Sequence, residues 1–296
     1  MLLLGLTGSI ATGKSSVSNI LSAPPYSIPI IDADLLARKV VQPGTPGYNS
    51  IVQYFGPTTP DLLLAKEDPA CGGREDGKDG KGRPLDRPAL GRRVFGENKE
   101  MGRDRKVLNG IIHPAVAREM CKAMVSCDSF IVWRIGLWLI VAWLYYYLTG
   151  YRAVVLDVPL LFESGWDRYC GTVLVVAVSD PEVQMRRLRE RDRHLSAEDA
   201  KNRVLSQGDV RVKVLRALAR GPGRGVVVWN DGDKNDLKKE IAQAVAIIQK
   251  RTPRWWSWLC LLCPPVGATA AIWTIWKNHQ AIRTWEQQQR TEKAKL

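Results

Sequence analysis

Apolar residues along this chain gather into short runs at 2–7, 27–31, 153–157, 172–178 and 226–230, most of them running into a glycine, asparagine or aspartate. Runs this short and this rich in Val, Ile and Leu predict strands buried on both faces, as in a parallel sheet. Between them the pattern changes to helical spacing at 17–21 and 35–41, in a helix opened by Asp180-Pro181, at 200–206, and from 236 to about 249. Asp180 followed by proline reads as an N-cap and first helical position, and the stretch 195–199 resembles a capping box ahead of the helix at 200–206. Strands alternating with helices predict an α/β fold.

Three stretches break this alternation. Residues 67–84 are Gly, Asp, Lys and Arg with almost no large apolar side chain, which predicts an exposed loop insertion. Residues 130–148 are apolar apart from Arg134 and long enough to cross a bilayer. A crossing there would separate the first strand from the strand at 153–157, so a buried or membrane-surface helix, or an unusual insertion over 126–150, is expected instead. The uncharged Trp-rich stretch 255–276, flanked by Arg251, Arg254 and Lys277, predicts a membrane anchor kinked at Pro264-Pro265. A helical hairpin or protein contact is the alternative there, and a polar helical tail over 277–296 follows.

The candidate chemistry concentrates at strand ends. Behind the first strand stands Gly8-Ser9-Ile10-Ala11-Thr12-Gly13-Lys14-Ser15-Ser16, a full P-loop spacing with a strand before it and a helix behind. Gly8 and Gly13 let the backbone wrap phosphates closely. Lys14 is placed to hold the β- and γ-phosphates of ATP, and Ser15 to offer a hydroxyl to Mg2+. Asp32 and Asp34 follow the second strand, at the sheet edge where ligands bind. Asp32 is suited to take a proton from a substrate hydroxyl or to help hold the metal; Asp34 has the alternative of capping the next helix. Asp157 closes another strand and reads as a metal-side carboxylate or as the cap of the following turn, with Glu163 a further candidate.

Bulk properties narrow the partners. The chain has 296 residues, 45% of them hydrophobic, enough for a proper core, and its net charge of +13 suits polyanionic ligands. No arginine-rich run interleaved with aromatics precedes the apolar centre, so no nucleic acid is expected as a partner. The six cysteines are scattered, and with no secretory signal ahead of the first strand they are expected to be reduced thiols facing the cytosol. Cys260 and Cys263 have C-x-x-C spacing without a second pair, which argues against zinc. No Asn-Lys-x-Asp element appears at a strand end, which argues against a GTPase.

The phosphate loop followed by Ile31-Asp32-Ala33-Asp34, Ala37-Arg38, Val41, Pro43-Gly44-Thr45 and Phe55-Gly56 resembles the opening third of the dephospho-coenzyme A kinases. The resemblance resumes at Asp86-Arg87, Leu90, Val94-Phe95, Leu108-Asn109, His113-Pro114 and the run 155–163, continues through Gln207 and Lys213, and covers about residues 1–250. It implies that Asp32 is the base on the ribose 3′-hydroxyl of dephospho-CoA, with Asp34, Arg38, Asn109 and His113 as acceptor-side candidates. His113 has the ordinary alternative of a helix-end histidine before Pro114. Arg187 and Arg191 match arginines that relatives set against the phosphates at the base of a lid, and Asn230 matches an asparagine near the adenine. Arg186 and Arg189 are expected to be solvated. The inserted 220–225 segment departs from the family pattern.

The expectation is a three-layer α/β/α P-loop kinase with a parallel sheet, a helical substrate subdomain and a lid over 1–250, followed by a C-terminal hydrophobic helix. The expected reaction is ATP- and Mg2+-dependent phosphorylation of dephospho-CoA. Alternatives are another P-loop nucleoside or nucleotide kinase, or a membrane-tethered nucleotide-binding scaffold with weak turnover. The expected location is the cytosol-facing side of a membrane, the endoplasmic reticulum or the mitochondrial outer surface. The ending Ala294-Lys295-Leu296 only faintly resembles a peroxisomal address.

Overall fold

The computed structural model describes residues 2–94, 99–125, 153–192, 204, 210–251, 255, 259 and 263–294. The expected features at 130–148, 195–199 and 200–206, Gln207, and most of 255–263 lie outside the described residues. Two compact units divide the chain: Met1–Asp32 with Ile131–Leu296, and Ala33–Phe130.

In the first unit, β1 (Leu2–Gly8) leads into α1 (Lys14–Ser22) and then β2 (Ile30–Asp32). The second unit follows with α2 (Ala33–Lys39), α3 (Pro46–Phe55), α4 (Arg87–Val94) and α5 (Lys99–Val125). The chain returns to the first unit through β3 (Ala153–Asp157), a 3-10 turn (Trp166–Tyr169), β4 (Thr172–Ala177) and α6 (Pro181–Arg191). It closes with α7 (Val210–Leu218), β5 (Gly225–Trp229), α8 (Lys234–Arg251) and α9 (Pro264–Lys293).

The five strands pair in parallel in the order β2-β3-β1-β4-β5. β4 is buried along its whole length, as its unbroken apolar sequence requires. Leu4, Leu6, Val155, Leu174, Val176, Val226 and Val228 share one core with Val17 and Leu21 of α1 and Leu237, Ile241, Ala244 and Ile248 of α8. Gly5 and Gly225 permit close approaches within this unit. A Cβ on Gly5 would press on the Leu161 side chain and the Cys170 sulfur, and one on Gly225 would occupy the Ala217 carbonyl. From β1 the chain leaves toward β2, and from β3 it crosses to β4 on the other side. The carboxyl edge between β1 and β3 is therefore a topological switch point, the place where open α/β sheets bind ligands.

The second unit is helical, as expected. Thr45 accepts a hydrogen bond from the Tyr48 amide at 3.1 Å, and Pro46 occupies the first turn of α3. Tyr48, Ile51, Phe55, Leu62, Leu85, Leu90, Val94 and Leu108 make its core. The Gly-rich stretch 67–84 is not wholly free of that core. Tyr48 donates from its hydroxyl to the Arg83 carbonyl at 2.7 Å, the Leu64 amide donates to the Pro84 carbonyl at 3.0 Å, and Cys71 is fully buried. α5 continues through Pro114, so His113 is an exposed mid-helix residue and not a helix end.

At the C-terminus, Pro264 and Pro265 do not kink a helix; they open α9, where the missing N–H groups cost no intrahelical bond. α9 then runs across 276–277 without a break. Among the described residues no helix is long and apolar enough to cross a membrane. Asn278 of α9 is completely buried and donates to the carbonyls of Arg168 at 2.7 Å and Cys170 at 3.0 Å, while accepting from the Arg224 guanidinium. Beside it Asp167 is paired with Arg220 at 3.3 Å and Arg216 at 3.7 Å. Burial pushes the Asp167 carboxyl up against the pull of Arg216, Arg220 and Arg168, and pushes the Cys170 thiol up to about 12. Cys71, Cys170 and Cys263 are free thiols. Replacing Asn278 by Ala removes the donor to the part-buried Arg168 carbonyl and one of two donors to the Cys170 carbonyl, which Arg220 also serves at 2.9 Å, and should lower unfolding free energy by about 1–3 kcal/mol. Denaturant titration of Asn278→Ala beside the exposed control Gln280→Ala measures it, with the control unchanged.

Candidate active site

The loop between β1 and α1 is held in a shape few residues tolerate. Ala11 has φ of 60° and Gly13 has φ of 92°, both left-handed. Glycine at 13 is required twice over: a side chain there would be strained, and its Cβ would meet the Asn230 amide. At Gly8 a Cβ would press on the Thr12 hydroxyl and the Val176 carbonyl at 2.8 Å each. Thr12 is buried and donates its hydroxyl to the Ser9 carbonyl at 2.9 Å, closing the loop on itself.

α1 begins at Lys14 with no side-chain cap at Gly13, so its first N–H groups remain available at the positive end of the helix. Ser15 and Ser16 are exposed there. The Ser9 hydroxyl is buried without a protein hydrogen bond among the described residues. A glycine-shaped turn, open helix amides, an unspent hydroxyl and a lysine suit phosphate oxygens.

Asp157 ends β3, and the Lys14 ammonium donates to its carboxylate in a short, partly buried ion pair. Asp32 ends β2 and is the register partner of Asp157, about 5 Å away by the spacing of neighbouring strands. Burial pushes the Asp157 carboxyl above the usual range, and the nearby Asp32 charge pushes the same way. The Lys14 charge and the Lys14 and Ser18 hydrogen bonds pull it back. The turn after Asp157 is fixed by Thr7, which donates to the Pro159 carbonyl at 2.9 Å, and by the Val158 amide, which donates to Leu6 at 3.0 Å.

The donor set fits a magnesium ion. A hard cation of octahedral habit takes one or two protein oxygens and completes its shell with water and phosphate oxygens. Ser15 and Asp157 supply such oxygens beside the loop, and no cluster of three or more acidic, His or Cys ligands occurs among the described residues. Glu163 is engaged elsewhere, 3.2 Å from the ammonium of Lys213, which also donates to the Pro159 carbonyl at 3.2 Å.

The remaining sequence-predicted residues divide between the two units. Arg187 donates to the Asn230 carbonyl at 2.7 Å, and the Asn230 amide donates to the Thr12 carbonyl at 2.8 Å. Both are thus joined to the phosphate loop. Arg191 is exposed at the end of α6 and paired with Asp192 at 3.1 Å. Arg186 and Arg189 are exposed, as expected of solvated charges. Asp34, Arg38, Asn109 and His113 are all exposed on the helical unit. One neighbour of the loop carries no sequence expectation: Gln184 is buried and donates its side-chain amide to the Ile10 carbonyl at 2.6 Å. Its spacing of four from the buried Leu188 on α6 is the signal that sets it on an inward face.

Comparison with known proteins bears on this geometry. The family model described as dephospho-CoA kinase matches residues 2–144 and 142–232. The dephospho-CoA kinase CAB5 of Saccharomyces cerevisiae is 39% identical over 271 residues, 92% of this chain and 91% of its own length. The dephospho-CoA kinase of Thermosynechococcus vestitus is 36% identical over 248 residues, 84% of this chain and 95% of its own. Among solved structures, TT1252 from Thermus thermophilus superposes with a TM-score of 0.57 at 25% identity, covering 84% of this chain and 98% of that one. The matched residues take in the phosphate loop, both strand-end carboxylates and Asn230, and the chain belongs to the dephospho-CoA kinase family.

Proposed function

We infer that this protein transfers the γ-phosphoryl group of ATP to the ribose 3′-hydroxyl of dephospho-CoA, giving CoA and ADP in the last step of coenzyme A biosynthesis. The observation that carries this reading is the placement of Asp32 and Asp157 as register partners beside a complete phosphate loop. In this reading Asp32 takes the proton of the 3′-hydroxyl as its oxygen forms a bond to the γ-phosphorus and the bond to the ADP oxygen breaks. Lys14 and the loop amides hold the phosphates where negative charge develops. Ser15 and Asp157 would hold Mg2+, directly or through water, and the ion would neutralise charge on the phosphate oxygens. Arg187 and Arg191 are proposed to carry positive charge toward the transferred group, and Asp34, Arg38, Asn109 and His113 to contact dephospho-CoA.

We further propose that the protein associates with the cytosol-facing surface of a membrane through α9. Its Ile272, Trp273 and Trp276 are 67%, 56% and 50% exposed. The two indoles stack at 5.0 Å and the Lys277 ammonium lies 5.4 Å from the Trp273 ring. Exposed indoles beside a cation support an interfacial attachment, which needs no spanning helix.

An assay of ADP release should show turnover with dephospho-CoA far above that with adenosine, AMP or gluconate. Lys14→Met should lower that turnover by about 10²–10³-fold, whereas Arg189→Ala should stay within about twofold. Equal losses in the two variants would overturn the division of roles.

The raised Asp157 carboxyl sets the sign of a pH effect. Its charged form is needed beside Lys14 and the metal, so turnover should fall as pH drops through its folded value, above the ~3.9 of an ordinary aspartate. In Asp157→Asn the pH–rate profile of the residual activity should lose the part of its acid limb that Asp157 contributes.

Flotation with vesicles containing phosphatidylserine should carry the protein upward. The double variant Trp273→Ala/Trp276→Ala should stay with the soluble fraction while keeping its turnover. Equal flotation of both proteins would remove the α9 indoles as the attachment, and a parent that does not float would remove the membrane proposal.

A further inference from the structure

A phosphate loop works only if its amides point inward, and in a planar trans peptide the N–H points opposite to the carbonyl of the preceding residue. The Ile10 carbonyl therefore sets the direction of the Ala11 N–H, and the Thr12 carbonyl that of the Gly13 N–H. Both carbonyls are tethered. Gln184 donates to Ile10 at 2.6 Å, and Asn230 donates to Thr12 at 2.8 Å. The second tether is itself held by α6, since Arg187 donates to the Asn230 carbonyl at 2.7 Å. Gln184 and Arg187 lie three residues apart on α6, on neighbouring positions of one helical face.

These tethers act where the backbone is least stable alone. Ala11 and Gly13 carry the left-handed dihedrals of the loop, and each directly follows a tethered carbonyl. A non-glycine residue at φ of 60° persists only where its surroundings over-determine it. Gln184 is buried to 3% exposure, on a helix whose other charged and polar residues are mostly exposed.

The geometry points to Gln184 as a positioning residue for ATP: from α6 it holds the Ile10 peptide so that the Ala11 N–H faces the phosphates, while Asn230 does the same for Gly13. It touches no substrate and acts through the backbone of the loop. The inference rests on the reading of this chain as an ATP-dependent kinase and adds a residue to that site.

The test uses the full chain with Gln184→Met, which keeps the side-chain length and removes the donor, and Gln184→Glu. ATP affinity is read by calorimetry, and the kinetic constants for ATP and dephospho-CoA by ADP release. Gln184→Met should weaken ATP binding about tenfold, with the KM for dephospho-CoA within about twofold and the nucleotide-free melting temperature near that of the parent. Gln184→Glu separates positioning from packing. As a carboxylate it cannot donate to Ile10, but as a neutral acid it can, so its ATP affinity should recover toward the parent value as pH falls from about 8 to about 6, since burial raises a glutamate's pKa. ATP affinity within twofold of the parent in both variants would overturn the inference. So would equal losses for both substrates accompanied by a lowered melting temperature, which would make Gln184 a packing residue only. Parent protein that neither binds ATP nor turns over dephospho-CoA would instead remove the kinase reading, independently of how the variants compare.

Discussion

Lys14 and Asp157 lie far apart in sequence, and the pair they form joins the two halves of the phosphate site. Nothing local brings them together. Lys14 opens α1 after β1, Asp157 closes β3, and β1 and β3 are hydrogen-bonded neighbours with Leu6 opposite Asp157. A parallel sheet brings all its carboxyl ends to one edge, so the loop, Asp157 and Asp32 meet there as a matter of topology. The charges are then arranged so that one ammonium lies against a buried carboxylate, with a second carboxylate on the adjoining strand. Asp157 would be costly to ionise in that position without Lys14, since burial disfavours its charge and Asp32 repels it.

The support for this edge comes from residues that do no chemistry. Thr7 and Val158 fix the turn after Asp157 through the Pro159 and Leu6 backbones, and Lys213 reaches the same Pro159 carbonyl. On the loop side, α6 and the end of β5 supply amide donors to Ile10 and Thr12. The left-handed backbone at Ala11 is tolerable because several independent contacts oppose its relaxation. Within the same unit a polar knot holds α9, in which Asn278 satisfies the Arg168 and Cys170 carbonyls beside the Asp167–Arg220 pair. Its N-terminal half presents Ile272, Trp273 and Trp276 outward, so one helix combines a docked polar end with an exposed apolar one.

Membership of the dephospho-CoA kinase family agrees with the sheet, the loop and the strand-end acids. Arginines on a helix following β4 were expected to face phosphate; Arg187 spends one of its N–H groups on the Asn230 carbonyl, and Arg191 pairs with Asp192. Asn230, matched to an adenine neighbour by resemblance, places its own amide on Thr12. Each of these side chains therefore has a part in shaping the loop, whatever further contacts it makes to nucleotide.

Sequence alone determined the strands, the phosphate loop and the acids at strand ends, because each is local: a run of Val, Ile and Leu, a fixed glycine spacing, or an aspartate at the close of a run. Boundaries moved by a few residues, as at β2, which begins at Ile30 and includes Asp32. What the tertiary structure decided depends on partners distant in the chain. The strand order made Asp32 the neighbour of Asp157, and packing turned Gln184 inward onto Ile10. The two prolines at 264–265 became the opening of α9, and an asparagine in an apparently polar tail became a buried knot. A hydrogen-bond donor leaves little mark on hydrophobic periodicity, and its acceptor here is a backbone carbonyl common to every residue. Such contacts become legible only once the fold has brought donor and acceptor within reach.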